Sequence, residues 1–239
     1  DAKPIFNTEV SGTRQHQRLL LDTAASGLLL DTLPKQYRCQ PQEAFLSALY
    51  LAFSEHYQVS DLPIMMESHG RAEVDGLDLT RTVGWFTAEY PVRMAAPMSL
   101  LKQLSHVEAP YDNVVRLVRS SLQKVPNNGV GYGVLKYLNG GESGLLRRGK
   151  SEPQILFNYL GRFQQDALTF LKGERYFHDT FEVHQSALIK SSYAIELNVF
   201  IDDQQSESQL VVHLDYDTSC VEEKEVKHLM ARLSEMASL

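Results

Sequence analysis

The sequence predicts an α/β layer structure, a mixed sheet with helices packed on one face. Residues 193–199 and 210–216 alternate apolar and polar side chains with period two, the mark of strands with one buried face. Residues 44–56 and 114–122 space their apolar positions three and four apart, the mark of helices. No internal repeat or low-complexity linker separates these elements, so residues 1–239 read as a single unit.

Residues 1–17 are polar and weakly patterned and read as a lead-in segment. Ala44, Phe45, Ala48, Leu49, Ala52, Phe53 and His56 then form one helical stripe, with Pro41 near its start. Residues 64–71 are a strand candidate. Val114, Val115, Leu117, Val118, Ser121 and Leu122 give a second helix, stopped by Pro126 and the glycine-rich stretch after it. Asn139, Gly140, Gly141 and Gly144 read as a loop, and residues 155–160 as a further strand. The two alternating segments, joined across Asp202 and Asp203, predict an antiparallel ribbon. Ser219 is placed to cap the last helix, with Glu222 completing a capping box and Val226, Leu229, Met230 and Leu233 forming the buried face.

A chain of 239 residues buries about 70% of its unfolded surface and needs no disulfide framework. Its two cysteines, Cys39 and Cys220, are far apart and read as reduced thiols. No segment has the layout of a signal peptide, and no apolar run approaches the ~18–20 residues of a membrane helix, so a soluble, cytoplasmic setting is expected. The net charge is −7 and the basic residues are scattered, which argues against nucleic-acid and anionic-membrane partners. The eight histidines show no metal spacing, and no G-x-S-x-G elbow occurs. No metal site, metal hydrolysis or serine acyl transfer is therefore expected.

Three stretches carry candidate chemistry. In Glu67-Ser68-His69-Gly70-Arg71, an extended backbone would put Glu67, His69 and Arg71 on one face. A buried carboxylate there would have a raised pKa, suited to taking a proton and giving it back; the structural alternative is an ion pair between Glu67 and Arg71. In the run from Arg81 to Thr87, Gly84 marks a bend or a close backbone approach, and Trp85 and Phe86 serve either as a cleft wall or as core. Gly129-Val130-Gly131-Tyr132-Gly133 lacks the Lys-Ser/Thr of a phosphate loop and reads as a bent, closely packed crossing segment.

These stretches resemble the signatures of peptide-synthetase epimerization domains. Residues 67–71 are similar to E-G-H-G-R-E, and residues 81–91 to R-T-V-G-W-F-T-x-x-Y/F-P. Residues 126–138 resemble P-x-x-G-x-G-Y-G-x-L-R-Y-L, and residues 157–163 resemble F-N-Y-L-G-Q-F. The resemblance implies a chloramphenicol-acetyltransferase-like fold, of which this chain corresponds to the C-terminal subdomain. It implies inversion at the α-carbon of an aminoacyl or peptidyl thioester in a tunnel between two subdomains. It implies further that no cofactor is bound directly and that a peptidyl carrier protein supplies the substrate on its 4'-phosphopantetheine arm.

By the same resemblance Glu67 matches one acid/base group and Asn158 lies near the tunnel; His69, expected on the same face as Glu67, supports it. The family's other catalytic group, the second histidine of H-H-x-x-x-D-G, belongs to the N-terminal subdomain, and no such motif occurs in these residues. The isolated chain is accordingly expected to be catalytically incomplete. Three positions depart from the pattern: Ser68 replaces a glycine, Ala72 stands where a glutamate is usual with Glu73 beside it, and Arg162 replaces a glutamine. A noncatalytic carrier-docking half-domain and a condensation domain forming peptide bonds are the alternative readings.

Overall fold

Among the described residues six strands form one sheet with helices packed against it. The computed structural model describes residues 5–6, 13–71, 78–79, 81–97, 99, 111–138, 152–162, 192–203 and 207–239. Among these the strands are β1 (Arg14–Leu20), β2 (Asp61–Ser68), β3 (Ala88–Ala95), β4 (Ile155–Arg162), β5 (Ile195–Asp202) and β6 (Gln209–Asp217). They form one sheet ordered β1-β6-β5-β4-β2-β3. The central pairs β2–β4 and β4–β5 are parallel, and β1–β6, β5–β6 and β2–β3 are antiparallel, so the sheet is mixed as the sequence predicts.

The helices are α1 (Thr23–Gly27), α2 (Leu33–Tyr37), α3 (Pro41–Tyr57), α4 (Tyr111–Gln123), α5 (Val130–Gly133) and α6 (Glu223–Met236). One face of the sheet meets them. Ile64 and Met66 of β2, Phe157 of β4, Leu197 and Val199 of β5 and Leu214 of β6 are all buried in the same core as α3, α4 and α6. Phe45 of α3 stacks on Phe157 with ring centroids 5.8 Å apart. Tyr111, at the start of α4, donates its hydroxyl hydrogen to the Met236 carbonyl, which ties α4 to the end of α6.

Several elements differ from the sequence reading for identifiable reasons. Helix α3 is buried on every side from Ala44 to Ser54, not along one stripe, because it lies among the sheet, α4 and α6. Pro41 is the first helical residue, as expected, and Glu43 also accepts from the Gln40 N–H at 2.7 Å. The lead-in ends earlier than expected, since residues 14–17 belong to edge strand β1. Ser219 does not cap α6. Its N–H donates to Asp217 Oδ1 at 2.8 Å, within a turn on the buried Asp217, and Glu222 takes the cap position. The expected loop at residues 139–144 lies outside the described residues.

Replacing Phe157 by Ala should cost about 3–5 kcal/mol, because it is fully buried and stacked at the centre of the sheet. Urea unfolding of the two proteins measures the difference.

Candidate active site

Strand β2 ends where three of the sequence motifs meet. Gly70 adopts φ +59, and a Cβ on it would lie 1.4 Å from the Phe86 carbonyl oxygen. Only glycine fits both constraints. The strand therefore stops at Ser68, three residues short of the expected Arg71. This corrects the one-face expectation: Glu67 is in the strand, whereas His69 and Arg71 lie beyond its end.

Arg71 is drawn away from Glu67 by backbone carbonyls. Its guanidinium donates to Leu79 O at 2.6 Å, Thr82 O at 2.9 Å and Gly84 O at 3.3 Å, and sits 4.6 Å from the Phe86 ring centroid. The ion pair with Glu67 is not formed. His69 is exposed, and its Nδ1 accepts from the Arg71 N–H at 3.0 Å, which fixes the turn. Phe86 thus packs on Arg71, while Trp85 is 91% exposed and neither lines a cleft nor enters the core among the described residues. Ala72, Glu73 and Phe163 lie outside the described residues.

The third motif closes on the same place. Ser68 Oγ donates to Asn128 O at 3.1 Å. Asn127 and Asn128 are left-handed, at φ 48 and φ 49, and Gly129 follows at φ 81, where a Cβ would come within 2.0 Å of the Tyr90 ring. The expected close packing forms only at Gly129; residues 130–133 make the short helix α5 with no buried residue and open space at Gly131 and Gly133. Arg162, the change from glutamine, donates to Asp203 at 2.7 Å and to Ser208 Oγ at 3.2 Å, so its charge is met locally.

Residues alternating with the buried ones place a polar surface on the opposite face of the sheet. Glu67 is directly opposite Glu89 of β3. In the parallel β2–β4 ladder Met65 pairs with Leu156 and Met66 with Phe157, which puts Asn158 beside Glu67 at the next step. Asn158 pairs with Asn198, and Asn198 with His213, while the neighbouring row runs Leu156, Glu196 and Asp215. Arg14 of β1 reaches Glu196 at 3.0 Å. Tyr193, just before β5, donates its hydroxyl hydrogen to Glu89 Oε2 at 2.8 Å.

Burial at this position lifts the Glu67 carboxyl from 4.5 to about 7, helped by the negative charges of Glu89 and then Glu196. Burial also pushes the Tyr193 phenol well up, reinforced by its bond to Glu89. A carboxyl poised near neutral pH can act as proton donor and as proton acceptor. The sequence reading singles out Glu67, His69 and Asn158; Glu67 and Asn158 each follow the last β2–β4 pair, Met66 and Phe157, and so lie on one face, with His69 in the adjoining turn. Glu89 is not among the residues the sequence points to. Alternation with buried Tyr90 is a usable signal for its face, but not for its register against Glu67.

A family model described as a condensation domain matches residues 7–238. Bacitracin synthase 2 of Bacillus licheniformis is 37% identical over 196 residues, covering 82% of this chain and 7% of that protein. Tyrocidine synthase 1 of Brevibacillus parabrevis is 32% identical over 158 residues, covering 66% of this chain and 14% of that protein. The crystal structure of the epimerization domain from the third module of tyrocidine synthetase B matches with TM-score 0.73 at 23% identity, over 94% of this chain and 47% of that one. The condensation domain from a Monacolin K polyketide synthase matches with TM-score 0.57 at 14% identity, over 95% and 46%. The chain thus spans about half of these structures and a small part of the synthases. At those identities the structural likenesses establish the fold.

Glu67 should make stability depend on pH. Its folded pKa is raised, so the folded state holds the proton more tightly, and stability is lost as pH rises from 4.5 to about 7. Discounted for partial solvent screening, Glu67→Gln should be more stable than the parent by about 1–2 kcal/mol at pH 8 and equal to it at pH 4. Urea titrations at the two pH values measure this. Gly70→Ala should cost about 2–4 kcal/mol, because the backbone at Phe86 must move; thermal unfolding measures it.

Proposed function

The chain belongs to the condensation-domain family of peptide synthetases, with its chloramphenicol-acetyltransferase-like fold, and from that premise we propose that it is the C-terminal half of an epimerization domain. In this reading the parent domain inverts the α-carbon of an aminoacyl or peptidyl thioester, and Glu67 is one of its two proton-transfer groups. The observation that carries it is a half-buried carboxyl held near neutral pH at the end of β2, within the motif stretch that resembles epimerization domains. The motif at residues 126–138 supports the same choice over condensation.

The chemistry is a pair of proton transfers. The α-C–H bond breaks, its proton passes to a base, and the electron pair enters the thioester enolate. A proton then returns to the other face of the carbon. A thioester suits this step, since a free carboxylate would oppose a second negative charge. Asn158, one step from Glu67 on the same face, offers an amide N–H for the oxygen on which that charge collects. His69 holds the turn that ends β2 and so acts on Glu67 by position. The substrate arrives on the 4'-phosphopantetheine arm of a peptidyl carrier protein. The amide side chains of Asn158 and Asn198 match the amide groups of that arm.

Inversion needs groups on opposite faces of the carbon, and one sheet face supplies one side. The second group is assigned to the N-terminal subdomain of the parent domain. In the domain carrying both subdomains, Glu67→Gln should slow solvent-deuterium exchange at the α-carbon of a carrier-bound substrate by about 10²–10⁴-fold. Mass spectrometry of the released amino acid reads this; unchanged exchange defeats the assignment. Amide formation between two carrier-bound substrates, without exchange, would place the domain with condensation enzymes. Carrier binding with neither reaction would leave a docking half-domain.

A further inference from the structure

Glu67 and Glu89 stand opposite one another in the antiparallel β2–β3 ladder, on one face, which sets their Cβ atoms about 4.5–5.5 Å apart. Two carboxyl groups this close share their protons unequally, according to the donors and the water each one has. Their surroundings differ. Glu89 is exposed and accepts the Tyr193 hydroxyl at 2.8 Å. Glu67 is half-buried, and no hydrogen-bond donor reaches it among the described residues.

We propose that Glu89, held by Tyr193, is a positioning residue that keeps the proton of this pair on Glu67. The inference rests on the reading of Glu67 as a proton-transfer group and adds a direction to it. With the proton on Glu67 this wall delivers it, and the first α-proton is then removed by the group on the opposite wall. Glu67 then protonates the enolate, its O–H bond breaking as the new C–H bond forms, and it is left as the carboxylate that must be reset.

The charges around Glu67 agree with this placement. Strand β3 contributes Glu89, and β5 contributes Glu196, whose charge is partly met by Arg14 of β1 at 3.0 Å. Asp215 of β6 lies beside Glu196, and β4 presents the uncharged Asn158. The nearest cation along the chain, Arg71, is committed to the carbonyls of Leu79, Thr82 and Gly84. His69 lies past the strand end in the turn. Among the described residues, the charges that displace Glu67 are thus negative, and they act in the same direction as its burial.

The test uses the domain with both subdomains, labelled with glutamate carrying ¹³C at the side-chain carboxyl. The Glu67 resonance is assigned by its loss in Glu67→Gln and followed against pH. Its midpoint should lie near 7 in the parent. In Glu89→Gln it should fall by about 0.5, a roughly threefold change in proton affinity. The Glu67 limb of the pH profile for α-carbon exchange should move by the same amount. Tyr193→Phe should move both in the same direction by less, since it frees the Glu89 side chain to swing away from Glu67. Glu89 is exposed, so its isosteric replacement leaves the core intact. A midpoint unmoved in Glu89→Gln overturns the proposal. A midpoint that moves as expected while Glu67→Gln leaves exchange unchanged supports the proton placement and defeats the catalytic reading of Glu67, so the two fail separately.

Discussion

The absence of a side chain at Gly70 is the constraint on which the rest of the site depends. A Cβ there would overlap the Phe86 carbonyl, and the backbone is already in the left-handed region. With a hydrogen in that place, the chain leaving β2 lies directly against the segment entering β3. Arg71 can then cap three carbonyls of that segment, and Ser68 can reach Asn128. Gly129 plays a similar part against the Tyr90 ring. Three sequence motifs separated by up to sixty residues are therefore parts of one packing arrangement around one strand end.

That arrangement decides the electrostatics of Glu67. The strand ends one residue after it, so its carboxyl sits at the rim of the sheet, half out of water yet next to the open polar face. Burial is the larger cause of its raised pKa, with Glu89 and Glu196 adding to it. An arginine in the neighbouring turn would ordinarily cancel such a rise, because an opposite charge within about 4–6 Å favours the ionised carboxylate. Here the guanidinium is spent on the loop, and the rise survives. The cation that shapes the turn is the same one whose removal from the carboxyl leaves it near neutral.

The periodicities make β5, β6, α4 and the apolar face of α6 legible, because each buries one apolar face in the core and turns mostly polar residues to the other. Helix α3 has no single stripe because it has neighbours all round, a fact that belongs to packing and not to its own residues. Strand β1 is not legible because at the sheet edge its residues alternate between polar types, Arg14, Gln15, His16 and Gln17, with no apolar face to read. The end of β2 falls three residues earlier than its pattern suggests because the Gly70 conformation depends on Phe86, sixteen positions away in sequence. Glu67 and Asn158 are legible through their motifs. Glu89 is not, because its role depends on register across β2 and β3, and register is set by pairing that one strand's sequence does not contain.

One face of a sheet has a geometric limit that bears on the proposed reaction. Side chains on that face approach a bound carbon from one side only, whereas inversion requires a proton to leave and to arrive on opposite sides. A second group on this same wall, such as Glu89, would return the proton to the side it left and restore the starting configuration. Such a group is therefore better used to set the protonation of Glu67 than to compete with it. The pairing of two carboxyl groups, one hydrogen-bonded and wet, the other half-buried and without a donor among the described residues, separates those roles without a second catalytic residue on the wall. The opposing face must come from a surface that these strands do not provide.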